Sequence, residues 1–198
     1  MKIFESVHYI RLKVYRHRRR AVCFGCAAVT LALLLMMKCE IGMRFVSEME
    51  NTEPQDIWEY VSDFSRMMDL NPTITTFTIT HESTNYKQWN YTVVYKEYLS
   101  QLPFVTNTIV GDFVIDKLQS RSKHRTIKST HRTCFAKIYC LNTKSEMIFL
   151  ENPNGTKIVE EIKYECPWLL TRFCKNEVTY QREKIFGHLR TVFVHTKR

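Results

Sequence analysis

Residues 151–195 read "ENPNGTKIVEEIKYECPWLLTRFCKNEVTYQREKIFGHLRTVFVH". Asn154-Gly155 lies between strand-like residues and is the strongest short hairpin signal in the chain, with a partner strand predicted over residues 156–164. Beyond Pro167 the apolar period lengthens. Leu170, Phe173, Cys174, Val178, Ile185, Leu189 and Val192 recur at spacings of three, four and seven, which is the signature of one face of a helix. A hairpin therefore feeds a long amphipathic helix, which Gly187 interrupts only mildly.

Upstream, a strand fits residues 41–49, where Ile41, Met43 and Phe45 alternate with Gly42, Arg44 and Val46. The stretch "TEPQDIWEYVSDFSRMMDLNP" follows. Thr52 or Asn51 can cap a helix, Pro54 suits its first turn, and Glu53 and Asp56 suit the positive end of its dipole. Ile57, Trp58, Tyr60, Val61 and Phe64 form its apolar face, "SRMMDL" adds one more turn, and Pro72 ends it. Strands are then predicted over residues 73–81, 88–98, 106–117, 126–141 and 144–150, the last two divided by Asn142-Thr143. There are no repeats and no low-complexity segment.

The order is strand, two short helices, about six strands, long helix. A curved antiparallel sheet can bury its concave face on that helix, giving an α+β fold. This order, with "SDFSRMMDLNP" and the hairpin-then-helix "NGTKIVEEIKYECP", resembles the START-like, or SRPBCC, superfamily over residues 40–196. That superfamily includes polyketide cyclases and coenzyme Q chaperones. The resemblance implies a helix-grip fold in which the long helix lies in the cupped sheet above a deep apolar cavity, with the short helices toward its mouth.

Strand parity assigns the inward side chains, because successive residues point to opposite faces. If Asn90 is a glycosylated, outward residue, then Trp89, Tyr91, Val93 and Tyr95 face in. Asp112 and Asp116 facing water turns Ile109, Phe113 and Ile115 inward. Glu160 shares a face with Ile158 and Ile162. Phe135 and, on the long helix, Val178 and Ile185 complete the expected cavity wall. Gln181 interrupts the helix stripe as a candidate hydrogen-bonding group for a ligand, since a few polar groups orient molecules in apolar pockets. Met67 and Met68 are pliable residues near the expected mouth. Leu102 and Phe104 mark an expected entrance loop that could touch a membrane. The plain alternative is that these side chains simply fill a core.

The chain has 198 residues, 44% of them hydrophobic and 13% aromatic, which supports a real core and argues against disorder. Seven basic residues against Glu5 lie in residues 1–20, which accounts for six of the nine net positive charges. The basic character belongs to an arm, which argues against nucleic-acid binding by the folded domain. The arm runs into 17 uncharged residues, 21–37. At ~1.5 Å per residue they span roughly 25 Å, near the thickness of a thin bilayer. An uncleaved signal-anchor over residues 21–38 is expected, with a cleaved signal or a mitochondrial targeting segment as alternatives. The positive-inside rule leaves residues 1–20 cytosolic and places 39–198 in the lumen of the ER or Golgi, with a mitochondrial membrane as the alternative site. Asn90 and Asn154 open two glycosylation sequons compatible with that placement.

The cysteine spacings match no zinc template, and most cysteines are expected to be buried small hydrophobes. No metal and no cofactor is expected. His81 and Glu82 are adjacent on a strand and point to opposite faces, and His131 has basic neighbours that suggest a solvated strand. The expected function is non-enzymatic: a membrane-anchored domain binding a sterol, phospholipid or isoprenoid. A protein-interaction domain is the alternative, and a cyclase-like or dehydratase-like enzyme the less favoured one.

Overall fold

The computed structural model describes residues 2–116, 124–135 and 139–195. The chain forms two compact units. One comprises the residues up to Cys39 with Pro167–Leu170, and the other comprises Glu40–Cys166 with the residues from Thr171 onward.

The smaller unit is built on helix α1, Lys2–Met36. Its segment Tyr15–Met36 is long and apolar enough to cross a membrane, and none of it is buried. A 3-10 turn, Trp168–Leu170, belongs to the same unit. The Trp168 N–H donates to the Met37 carbonyl at 2.8 Å, and Trp168, Leu169 and Leu170 are all exposed.

The larger unit is a helix-grip fold: a seven-stranded antiparallel sheet and a long C-terminal helix. The strands are β1 (Lys38–Glu50), β2 (Ile74–Thr84), β3 (Gln88–Leu99), β4 (Leu102–Asp116), β5 (His124–Phe135), β6 (Tyr139–Asn152) and β7 (Gly155–Pro167), in the spatial order β1-β7-β6-β5-β4-β3-β2. Helix α4, Thr171–His195, supplies Ile185, Phe186 and Leu189 to the core. Helix α2 (Pro54–Ser62), a 3-10 turn (Phe64–Arg66) and the short helix α3 (Met67–Leu70) follow β1. They form because Ile57, Trp58, Val61, Phe64 and Leu70 recur on one side, and all five are buried. Phe149, Ile57, Leu70, Ile109, Ile158 and Leu189 are nearly or fully inaccessible. Each such side chain contributes ~1.5–3 kcal/mol by leaving water.

Four local expectations are corrected. Neither Asn51 nor Thr52 caps α2: the cap position is Glu53, and the Thr52 hydroxyl donates to the Met49 carbonyl instead. Asn142-Thr143 is not a turn. Both residues lie inside β6, opposite Arg132 and His131, because Glu165 accepts both the backbone N–H and the Nδ2 of Asn142, at 2.8 and 3.0 Å. The β5–β6 connection falls at residues 136–138, outside the described residues. Leu102 and Phe104 lie on β4 rather than in a loop; the turn is Ser100-Gln101. Finally, most cysteines beyond the apolar run are not free thiols. Cys134 pairs with the directly opposed Cys140, and Cys166 pairs with Cys174, tying the end of β7 to the first turn of α4.

Candidate functional site

The interior between α4 and the concave face of the sheet has two halves of different chemistry. Under α2 and α3 it is aromatic and aliphatic. Phe64 sits 5.1–5.5 Å, centroid to centroid, from Phe77, Tyr95 and Phe113, and Phe113 stacks on Tyr91 at 4.8 Å. The Tyr91 hydroxyl donates to the Ser62 carbonyl at 2.9 Å, and the Trp58 indole donates to the Thr126 carbonyl at 3.3 Å. A 2.9 Å bond joins His188 Nδ1 and the Leu70 carbonyl, linking α4 to α3. The short helices thus plug one end of the cupped sheet.

The other half is polar. Parity along β3 carries the inward row Tyr91, Val93 and Tyr95 on to Glu97, and parity along β4 carries Phe113, Gly111 and Ile109 back to Asn107. All of these except Gly111 are buried hydrophobic or polar side chains. The register sets Glu97 directly across from Asn107. Above them, α4 presents Glu177, Gln181 and Arg182. Both Glu177 oxygens accept the Ser100 N–H, at 2.9 and 3.1 Å, and the Ser100 hydroxyl donates to Oε2 at 2.7 Å. Gln181 donates to Glu177 at 3.3 Å and also hydrogen-bonds Glu97. On β7, Glu160 is 2% exposed; Ser145 donates to its Oε1 at 2.6 Å, and Arg182 Nε lies 3.0 Å from its Oε2. That second contact is held by charge, since its angle does not make a good hydrogen bond.

Burial raises Glu97 from the ordinary carboxylate value to about 7, reinforced by the Glu177 charge. Burial and the Arg182 charge lower His131 to about 4. His131 is therefore a neutral, inward residue rather than a solvated one. The Tyr95 hydroxyl lies 3.2 Å from its Nδ1, and the Ser129 hydroxyl 2.9 Å from its Nε2. One neutral tautomer, accepting at Nδ1 and donating at Nε2, satisfies both. Gly111 makes the room, since a Cβ there would lie 2.9 Å from His131 Nδ1.

Of the residues expected to line a cavity, Tyr91, Val93, Tyr95, Ile109, Phe113, Ile158, Ile162 and Ile185 come together on the buried side of sheet and helix. Trp89 and Phe135 are half-buried near strand ends, and Met67 packs partly against the core. Met68 faces solvent, so it is no part of this interior. Val178 is only half-buried, because the innermost position of that helical turn is taken by Glu177. Gln181 is drawn inward by its carboxylate partners. His81 and Glu82 are both exposed, and Glu82 accepts the Trp89 indole N–H. Phe104 is 83% exposed and Leu102 also faces solvent. Among the described residues, no group of histidines, cysteines and acids is placed to hold a metal.

No known protein-family profile matches the chain, and no curated protein matches it in sequence. Solved structures do match its shape. TTHA0849 from Thermus thermophilus superposes with a TM-score of 0.59 at 10% identity, covering 81% of this chain and 100% of that one. The di-domain ARO/CYC BexL from the BE-7585A biosynthetic pathway matches with a TM-score of 0.56 at 11% identity, over 87% of this chain and 58% of its own. Ara h 8.0201 matches with a TM-score of 0.50 at 13% identity, over 78% of this chain and 99% of its own. At such identities the likeness is one of fold.

Proposed function

We infer that the larger unit is a non-enzymatic binding domain for a hydrophobic small molecule of the sterol, phospholipid or isoprenoid kind, tethered to the membrane that supplies it. The observation that carries this reading is the division of the interior: an aromatic and aliphatic half continuous with a buried polar half. Packing alone gives no reason to bury Glu97, Glu160 and Glu177 on one concave face, because buried charges cost stability unless partnered. A few convergent polar groups in an apolar interior are what a ligand site uses to fix orientation.

The tether rests on Tyr15–Met36 and on the exposed Trp168, Leu169 and Leu170 beside the end of that helix. Tryptophan at the end of an apolar helix suits the membrane–water interface. The two disulfides favour an oxidising compartment for the larger unit, in agreement with the lumenal placement expected from the charge asymmetry. Organic extraction of the full chain purified in mild detergent, followed by mass spectrometry, tests the reading. A stoichiometric lipid absent from a mock purification supports it, whereas a ligand-free chain that also takes up none from liposomes overturns it.

Acid–base catalysis is the second reading, and one observation favours it: a buried carboxyl with a pKa of about 7 sits in the polar half. Turnover of an extracted ligand, abolished by Glu97→Gln with binding retained, would select it over simple carriage.

A further inference from the structure

Hydrogen-bonding capacity in the polar half is unevenly spent. Glu177 is saturated by Ser100 and Gln181. Glu160 accepts from Ser145 at Oε1, and its Oε2 is neutralised by the Arg182 charge without a hydrogen bond. His131 is saturated by Tyr95 and Ser129. One cross-strand pair keeps both an acceptor and a donor in hand without a paired opposite charge to neutralise them among the described residues. Glu97 receives a side-chain hydrogen bond from Gln181, leaving carboxylate lone pairs open. Asn107 is 2% exposed, and its Nδ2 has no partner among the described residues. The register places these two residues directly opposite each other on the same buried face, at a separation where cross-strand side chains meet. An orphaned buried donor is rare in native proteins and calls for an explanation.

An open acceptor and an open donor side by side define what fits between them. The incoming group must donate one hydrogen bond to the Glu97 carboxylate and accept one from Asn107 Nδ2. An alcohol hydroxyl does both. An ammonium head donates but has no lone pair for Asn107, and a carboxylate head accepts but would face the Glu97 and Glu177 charges. An alkane end leaves Asn107 as it is. We propose that Glu97 and Asn107 form the recognition site for a single hydroxyl group at the polar end of an otherwise apolar ligand, a sterol-like or long-chain alcohol. This rests on the binding-domain reading above and narrows it to neutral alcohols.

The test uses the full chain in phospholipid nanodiscs and a diazirine-bearing hexadecan-1-ol as photoprobe. Unlabelled hexadecan-1-ol, hexadecane, hexadecylamine and hexadecanoic acid compete for crosslinking. The expected result is a saturable crosslink that the alcohol displaces at roughly tenfold lower concentration than any of the other three, the ratio for one buried hydrogen bond gained or lost. Asn107→Leu should reduce that preference toward onefold, and Asn107→Asp should move it toward the amine. Near-UV circular dichroism checks that the variants fold; should either fail, the head-group series on the unaltered chain decides alone. Equal displacement by hexadecane and hexadecan-1-ol overturns hydroxyl recognition while leaving apolar binding in place. Absence of any saturable crosslink overturns both.

Discussion

Glu97 and His131 are displaced in opposite directions by the same interior. Burial, with the Glu177 charge, raises Glu97 from 4.5 to about 7, against the opposing effects of Gln181 and Arg182. Within that window the folded chain keeps a proton that the unfolded chain releases, so this contribution to stability is lost as pH rises. Burial, with Arg182, lowers His131 from 6.5 to about 4, against Asp112. Between those values the unfolded chain takes up a proton that the folded chain refuses, so this contribution is lost as pH falls. The two slopes oppose each other from roughly pH 4.5 to 6.5. Glu97→Gln should therefore match wild type near pH 4 and gain several degrees of Tm over it by pH 8, at ~2–4 °C per kcal/mol for a chain of this size. His131→Asn should gain on wild type as pH falls from 6.5 to 4. Thermal scans across pH decide this, and parallel curves for variant and wild type would place neither group in a dry interior. The sequence already held the signal for this half of the site. The alternation that turns Tyr91, Val93 and Tyr95 inward continues to Glu97, and the alternation through Ile109 and Phe113 reaches Asn107 and Gly111. Reading inward positions for apolar residues alone stops two residues short of Glu97 and of Asn107, and skips Gly111.

At the scale of elements, most boundaries were legible because their periods are long and their breakers strong: Pro54, Pro72, Asn154-Gly155 and the change of period after Pro167. The β5–β6 turn is not legible in the sequence, because Asn142 looks like a turn residue and only tertiary structure supplies Glu165 as its partner. The disulfides were illegible for the same reason, since pairing depends on which cysteines the register brings opposite each other. Two glycines separate a backbone requirement from mere presence. Gly155 adopts φ of 146°, and a Cβ there would lie 2.1 Å from the Met49 carbonyl. Gly187, within α4, has nothing within 4 Å of that position. Gly155→Ala should therefore destabilise the domain by more than about 1 kcal/mol through strain at the β1–β7 contact. Gly187→Ala should stabilise it by about 0.5–1 kcal/mol, by lowering the entropy of the unfolded chain and favouring helix. Denaturant midpoints with unchanged m-values would show the two opposite shifts.

At the scale of the whole molecule, the anchored, lumenal placement proposed above is tested by the two sequons, and they respond differently. Asn154 lies at the tip of the β6–β7 hairpin with its side chain exposed. Asn90 lies within β3, opposite Ser83 on one side and Val114 on the other, with its Oδ1 buried. A glycan on Asn154 projects from a turn, whereas one on Asn90 would have to displace neighbours on two strands. The Thr156 hydroxyl of the Asn154 sequon is itself buried in the fold, donating to the Thr52 carbonyl at 3.0 Å, so sugar transfer there must precede closure of the hairpin. If α1 crosses the bilayer with its basic end in the cytosol, the chain made in secretory cells should carry one glycan, not two. A single glycosidase-sensitive mass step is then expected, removed by Asn154→Gln and unaffected by Asn90→Gln. Carbonate-resistant membrane association should vanish for a chain beginning at Cys39, and the Cys134–Cys140 and Cys166–Cys174 pairs should resist thiol labelling until reduced. An unglycosylated chain whose C-terminus is digested by protease in intact microsomes would place the domain in the cytosol, where those disulfides would not persist. Two glycans on folded protein would instead show that β3 is less tightly flanked at Asn90 than its register implies.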